Sequence, residues 1–268
     1  MIPPDTMLHI YEIRGAKDDI SAPDPPSSFI GIWNEEDFFY FFFTASEDDY
    51  VRIRVCGNSP SCHWSSHEMK YSDWQTGLPV SGLSIADFRF VPADYQSPDP
   101  DCLLLDPSVV FGDGNHPTTS SCLKFLREIM QSNRIESMLD LGTGTGILAL
   151  AAAKLGVSRI VAVDRNRLAA ETARKNVLIN KMESIIQVEE CEARLHIEKP
   201  FDLVAANLPF QVLRELVTLR GAELHRFWIV SGIDRKQAEI LKELLSEQGY
   251  SIGTESVDKP WVTFIASK

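Results

Sequence analysis

The 268-residue chain lacks any long apolar run: Ile147 to Ala153 is seven residues and the aromatic run Phe38-Phe39-Tyr40-Phe41-Phe42-Phe43 is six. A membrane-spanning helix needs about twenty, so no membrane association is expected. Cysteine is sparse, five in all, an odd number without the paired spacing of a small disulfide framework. Met1-Ile2-Pro3-Pro4 begins no charged and apolar leader. Reduced thiols in a cytoplasmic protein are expected. Positive charge is scarce at the front of the chain. Residues 1 to 100 carry 16 acids and 6 bases, a balance of −10, against 22 acids and 20 bases, a balance of −2, in residues 101 to 268. Such a field repels phosphate backbones and suits a cationic partner, so direct nucleic-acid binding is not expected. The oligomeric state is left open.

With 44% hydrophobic residues there is ample material for a core, and the length suits one catalytic domain with a smaller companion. Turn-rich punctuation at Asp24-Pro25-Pro26-Ser27-Ser28, Asn58-Ser59-Pro60-Ser61 and Gln96-Ser97-Pro98-Asp99-Pro100 separates short β-prone runs, Phe38 to Thr44 and Tyr50 to Val55 among them. Residues 1 to 100 therefore read as a small, strand-rich α+β domain, with the aromatic run as a strand covered on both faces. Cys56, Cys62, His63 and His67 offer four metal donors, but their spacing matches no common zinc module, and no metal is expected.

From residue 101 the rhythm becomes alternating strand and helix. Leu123, Leu126, Ile129 and Met130 share a helical face after Pro117-Thr118-Thr119, where either threonine could cap. Strands follow at about 138–141, 159–163, 185–188, 201–205 and 227–230, with helices at 147–155, 168–180 and 236–248. Two β-prone runs, 250–256 and 261–266, are joined by Asp258-Lys259-Pro260, a link short enough for an antiparallel pair. The fold class is α/β: a Rossmann-like, seven-stranded sheet, parallel with an antiparallel last strand, occupying residues 101 to 268.

Leu139-Asp140-Leu141-Gly142-Thr143-Gly144-Thr145-Gly146 closes the first of these strands and opens an alanine-rich helix. Glycine at alternate positions lets backbone approach a ligand where a Cβ would collide, and helix-start amides lack intrahelical partners. A nicotinamide fingerprint needs its third glycine at the position of Ile147, which disfavours a dinucleotide. Asp140 suits a ligand with a positive amino group, and Asp164, ending the next strand, can accept two ribose hydroxyls. The loop resembles that of S-adenosylmethionine (AdoMet) methyltransferases, with Gly142, Thr143, Gly144 and Gly146 as the cradle. By position, Glu192 in the turn after the third strand would face the base.

Two further segments sharpen this. Phe111-Gly112-Asp113-Gly114-Asn115-His116-Pro117-Thr118-Thr119 precedes the first strand, and Asn207-Leu208-Pro209-Phe210 ends the fourth. With them, and with Ser231-Gly232-Ile233 and Trp261-Val262, residues 101 to 268 resemble the ribosomal protein L11 methyltransferases of the PrmA type. The resemblance implies AdoMet-dependent methylation of amino groups on a ribosomal protein. It also implies a lid over the cofactor's methionine end, carried by Phe111, Gly112, Gly114, His116, Thr118 and Thr119. Asn207 stands where amino methyltransferases place the asparagine that accepts from the target nitrogen, and it is the residue expected to orient the acceptor as well as to adjoin the cofactor. No general base is assigned. Asp113 replaces the usual threonine of the lid, Thr143 stands where cysteine is common, and the Asn-Pro-Pro-Tyr signature is reduced to Asn-Leu-Pro-Phe. The acidic residues 1 to 100 would present a basic ribosomal protein. A retained core acting on another protein or a small amine, or a non-catalytic AdoMet-binding docking module, would share the same loop.

Overall fold

A computed structural model describes residues 2–3, 5–14, 22–34, 38–57, 62–74, 78–79, 81–94, 99 and 101–268. The chain divides into two compact units, Met1–Gly77 with Asn166–Leu168, and Leu78–Arg165 with Ala169–Lys268. The described residues from Leu78 to Asp99, grouped by composition with the first domain, thus fold with the larger unit.

In the smaller unit, β1 (Met7–Arg14), β2 (Phe29–Asn34), β3 (Phe39–Phe43) and, after a short helix α1 (Asp48–Tyr50), β4 (His63–Lys70) form a sheet in the order β2-β3-β1-β4. Helix α2 (Tyr71–Trp74) follows. The aromatic run is an inner strand, with Phe41, Phe42 and Phe43 at most 1% exposed. The Tyr50 to Val55 run, expected as strand, is instead a π-helical turn over Val51–Val55. Two causes are visible. The Val51 amide bonds back to the Glu47 carbonyl at 2.9 Å, and Asp48 and Asp49 sit in the first turn, where acids favour a helix start. The turn sends Val51 and Val55 to the core and leaves Ile53 45% exposed, whereas strand alternation would have buried all three. Tyr11 holds this turn to the sheet: its hydroxyl donates to Asp48 Oδ1 and accepts from the Glu47 amide, both at 2.7 Å.

Cys56 and Cys62 are joined by a disulfide, with Cα atoms 5.6 Å apart. The expectation that all thiols are reduced is corrected for this pair, and with both sulfurs joined they are not thiolate donors to a metal beside His63 and His67. Cys102, Cys122 and Cys191 are in no disulfide.

The larger unit begins with β5 (Leu83–Ile85), β6 (Phe88–Pro92) and β7 (Leu103–Leu105), a three-stranded sheet, then α3 (Pro117–Ser132). Next come β8 (Ser137–Leu141), α4 (Ile147–Lys154), β9 (Arg159–Asp164), α5 (Arg167–Ile179), β10 (Ile186–Glu190), β11 (Leu203–Asn207), α6 (Phe210–Thr218), β12 (Phe227–Asp234), α7 (Arg235–Glu247), β13 (Ser251–Asp258) and β14 (Trp261–Ser267). The sheet order is β10-β9-β8-β11-β12-β14-β13; β8 to β12 pair in parallel, and β14 runs antiparallel to both neighbours. The expected seven-stranded fold is present. β8 is buried at all five positions, as a parallel strand covered on both faces must be. Its alternate side chains feed two cores: Met138 points to the one shared with α3 and α4, while Leu139 and Leu141 point to the one shared with α6 and α7. Order reversal at β8 opens a crevice beyond the strand ends. Among the described residues no helix is long and apolar enough to cross a membrane.

Candidate functional site

The crevice starts with the β8–α4 turn. Gly142, Gly144 and Gly146 take φ values of +69°, +56° and +84°, the left-handed region that costs other residues roughly 1–2 kcal/mol. The amides of Gly142 and Thr143 both donate to the Val163 carbonyl at 2.9 Å, and that of Gly144 donates to Asp164 Oδ2 at 3.0 Å. Asp164 is thus first an anchor of the loop. The Asp164 carbonyl in turn accepts the Cys191 amide at 3.0 Å, which ties the β10 turn to the same edge.

Asp140 is 1% exposed and accepts the Thr143 hydroxyl at 2.6 Å. Burial pushes its carboxyl up to about 7; the Thr143 hydroxyl and the Ala149 amide oppose the rise, and the Asp164 charge adds to it. Burial makes the charged form of this carboxyl costly, and a bound cation would offset that cost.

The segment before α3 folds directly onto this loop. The Thr145 hydroxyl donates to the Gly112 carbonyl at 2.6 Å, and a Cβ on Gly144 would lie 2.6 Å from the Phe111 carbonyl oxygen. Gly112 and Gly114 have φ +108° and +94°, and a Cβ on Gly114 would meet Leu83 at 2.9 Å. Phe111 is 51% exposed at the rim, with its ring against His116 and His116 against Trp261, centroids 5.1 and 5.3 Å apart. His116, not a threonine, caps α3: its side chain accepts from the Thr118 amide, with Pro117 at the first turn. The threonines are thereby left for other work. Thr119 is 2% exposed and its hydroxyl has no hydrogen-bond partner among the described residues.

Asn207 closes the crevice from the end of β11. Its Nδ2 donates to Thr118 Oγ1 at 3.1 Å, and Thr118 Oγ1 lies 2.7 Å from His116 Nδ1. Pro209 is the cap residue of α6, so Asn207 does not serve as that helix's cap. Leu208 sits close over the glycine turn, where a Cβ on Gly142 would lie 2.3 Å from its Cδ2. A Cβ on Gly232 (φ +89°) would lie 2.6 Å from the Leu208 carbonyl oxygen, so Gly232 lets that backbone pass. Glu192, expected at the base, is exposed and forms no side-chain cap on the turn it precedes.

Three contributors escaped the sequence reading. Asn176 in α5 and Asn180, the residue just after that helix, behave as a substitute strand beside β7. Asn180 accepts the Leu104 amide at 2.9 Å and donates to the Leu104 carbonyl at 2.7 Å. Asn176 does the same for Asp106, both at 2.9 Å, and its amide also reaches the Thr145 carbonyl at 2.9 Å. Lys175 pairs with Asp106 at 2.6 Å. One fully buried carboxamide therefore ties the root of the lid to the glycine loop. The available signal was a polar residue at a position in register with Ala169 and Ala173, the buried stripe of α5.

Glu189, Cys191 and His196 bring three donor atoms within 4.8 Å of one another, but His196 Nε2 and Glu189 Oε2 are already bonded at 3.0 Å. That pair secures the β10 turn.

Residues 56–268 match the family described as ribosomal protein L11 methyltransferase (PrmA), a longer stretch than the motifs alone cover. The ribosomal protein L11 methyltransferase of Bacillus cereus (strain G9842) is 35% identical over 213 residues, 75% of this chain and 66% of that relative. The enzyme of the same name from Bacillus anthracis (strain A0248) is 34% identical over the same extent. The crystal structure of ribosomal protein L11 methylase from Lactobacillus delbrueckii subsp. bulgaricus superposes with a TM-score of 0.56 at 28% identity, over 68% of this chain and 93% of that one. The chain spans just under two thirds of the length of the Bacillus relatives, at 66%.

Proposed function

The chain belongs to the ribosomal protein L11 methyltransferase (PrmA) family, and on that premise we propose that it transfers methyl groups from AdoMet to amino nitrogens of ribosomal protein L11 in the cytoplasm. The observation that carries this reading is the meeting of the glycine cradle with the segments that bear Asn207 and Thr118, where Leu208 lies over Gly142 and the Phe111 carbonyl over Gly144.

Three features support AdoMet as the group held. The positive-φ glycines shape a tight strand-to-helix turn onto which Leu208 and the Phe111 carbonyl close with no Cβ between. Asp140 offers a buried carboxyl whose charge a cationic amino group would restore, and Thr119 holds a buried hydroxyl without a partner among the described residues. Asp140, Thr143 and the lid residues Phe111, Gly112, Gly114, His116, Thr118 and Thr119 would hold the amino-acid end. Gly142, Gly144, Gly146 and Asp164 would hold the ribose, and Glu192 would lie at the rim near the base. Bound AdoMet supplies a methyl group on a sulfonium that already carries its leaving group.

The chain's own task is then positioning. Asn207 turns its carboxamide nitrogen toward Thr118, which leaves its Oδ1 to accept an N–H of the incoming amine and aim the lone pair. Phe111, Leu208 and Trp261 surround the acceptor with apolar surface, and desolvation there lowers an ammonium pKa, so the nitrogen arrives unprotonated. The proton is lost to water, and no side chain is assigned as its base. The smaller unit, in the acid-rich part of the chain, would attract a basic ribosomal protein.

Purified protein, tritiated AdoMet and isolated L11 test the reading. Label in L11 supports it, and label only in another protein or a small amine of a cell extract redirects the acceptor. AdoMet binding without transfer to anything would reduce the chain to a binding module.

A further inference from the structure

His116 lies between two things already described, the lid and the acceptor residue, and its hydrogen bonds carry directional information. The Thr118 backbone amide donates to His116 Nδ1 at 3.3 Å. An amide cannot accept, so Nδ1 is the unprotonated nitrogen and the ring proton is on Nε2. The Thr118 hydroxyl, 2.7 Å from the same Nδ1, must then spend its single proton on the histidine. Its oxygen can only accept from Asn207, which fixes the carboxamide with Nδ2 toward Thr118 and Oδ1 away from it. If Nδ1 carried a proton, the order would invert. Thr118 would accept from the ring and donate to Asn207, the carboxamide would turn over, and an N–H would face the crevice where a lone pair is needed.

We propose that His116 is a positioning residue that, as the Nε2–H tautomer, sets the polarity of the Thr118 hydroxyl and through it the orientation of the Asn207 carboxamide. This rests on the reading of Asn207 as the group that orients the amine. The surroundings favour a neutral ring. Phe111 and Trp261 pack against it, and burial lowers its pKa while the carboxylates of Asp113 and Asp258 pull the other way. Burial is the larger effect, so the ring stays neutral until the pH falls below its ordinary value of 6.5. Below that point Nδ1 gains a proton and the chain of bonds reverses.

The test combines variants with spectroscopy. His116→Leu removes the acceptor and is expected to lower turnover at least about tenfold, a larger loss than any it causes in AdoMet affinity. His116→Asn puts an amide oxygen where Nδ1 was and restores turnover relative to His116→Leu. It also removes the part of the acid limb of turnover that ring protonation causes in the native enzyme. Long-range proton–nitrogen correlation spectra of the unmutated protein at pH 8 are expected to show Nδ1 of His116 without a proton, a reading that does not depend on activity or on how a variant folds. A protonated Nδ1, or His116→Leu with full turnover while Asn207→Ala is impaired, would overturn the inference. Full turnover in Asn207→Ala as well would instead remove the reading on which it rests.

Discussion

The glycine-loop side of the site comes from one short stretch, Asp140 to Gly146, plus Asp164, whereas the acceptor side joins Thr118 to Asn207 across 89 residues of sequence. The first side is made of backbone: positive φ values and amides aimed at Val163 and Asp164. The second is made of side chains whose usefulness depends on which end of each hydrogen bond carries the proton. Backbone cradles recognise a shape, and side-chain chains recognise a protonation state. A single change on one side should therefore leave the other side's measurement largely intact, and the variants below test that separation.

Gly144→Val should be the most damaging to the cradle. The new Cβ would lie 2.6 Å from the Phe111 carbonyl at a φ of +56°, displacing both loop and lid, and AdoMet affinity by calorimetry should fall about 100-fold or more. Asn176→Leu comes next. It deletes three hydrogen bonds of a fully buried carboxamide and strands buried main-chain groups, at a cost of about 2–4 kcal/mol in urea unfolding of the larger unit. Because Asn176 touches both the lid root and the glycine loop, this variant should weaken AdoMet binding as well, which marks the place where the two sides join.

Asp140→Asn tests charge alone. The folded carboxyl titrates at about 7 against 3.8 when unperturbed, so the folded protein holds the extra proton between those values. Stability from this group is full below about pH 4 and lost as pH rises to about 7, on the order of a few kcal/mol. Relative to the native protein, Asp140→Asn should gain stability at pH 8 and not at pH 4, in paired thermal melts. It should also lose the rise in AdoMet affinity expected between pH 6 and 8, when the carboxylate becomes available to a cationic amine. Glu192→Ala should do least, within about twofold in AdoMet affinity, because an exposed acid in solvent contributes little. A larger loss would show that the base is read by this turn.

Legibility in the sequence follows the same division. The loop could be read because its constraints are local: Gly142, Gly144 and Gly146 are required by φ, and Asp164 follows from the length of one helix and one strand. The succession of strands and helices was legible from alternation and short links. Val51 to Val55 misled because Val, Arg, Ile, Arg, Val alternates like a strand, while the acids before it and the burial of Val51 and Val55 alone select a helical turn. The cap of α3 misled because His116 competes with threonine for the same amide, and Pro117 holds it there. Asn176 was invisible since its value lies in Asp106 and Thr145, 70 and 31 residues away. The Cys56–Cys62 bond was missed because an odd cysteine count argues about the whole chain and not about one loop.

The most direct test of the division is Asn207→Ala measured twice on the same preparation, AdoMet affinity by calorimetry and single-turnover methyl transfer to L11. Affinity should stay within about threefold while transfer falls about 100-fold. Equal losses in both, or transfer at the native rate, would contradict the account.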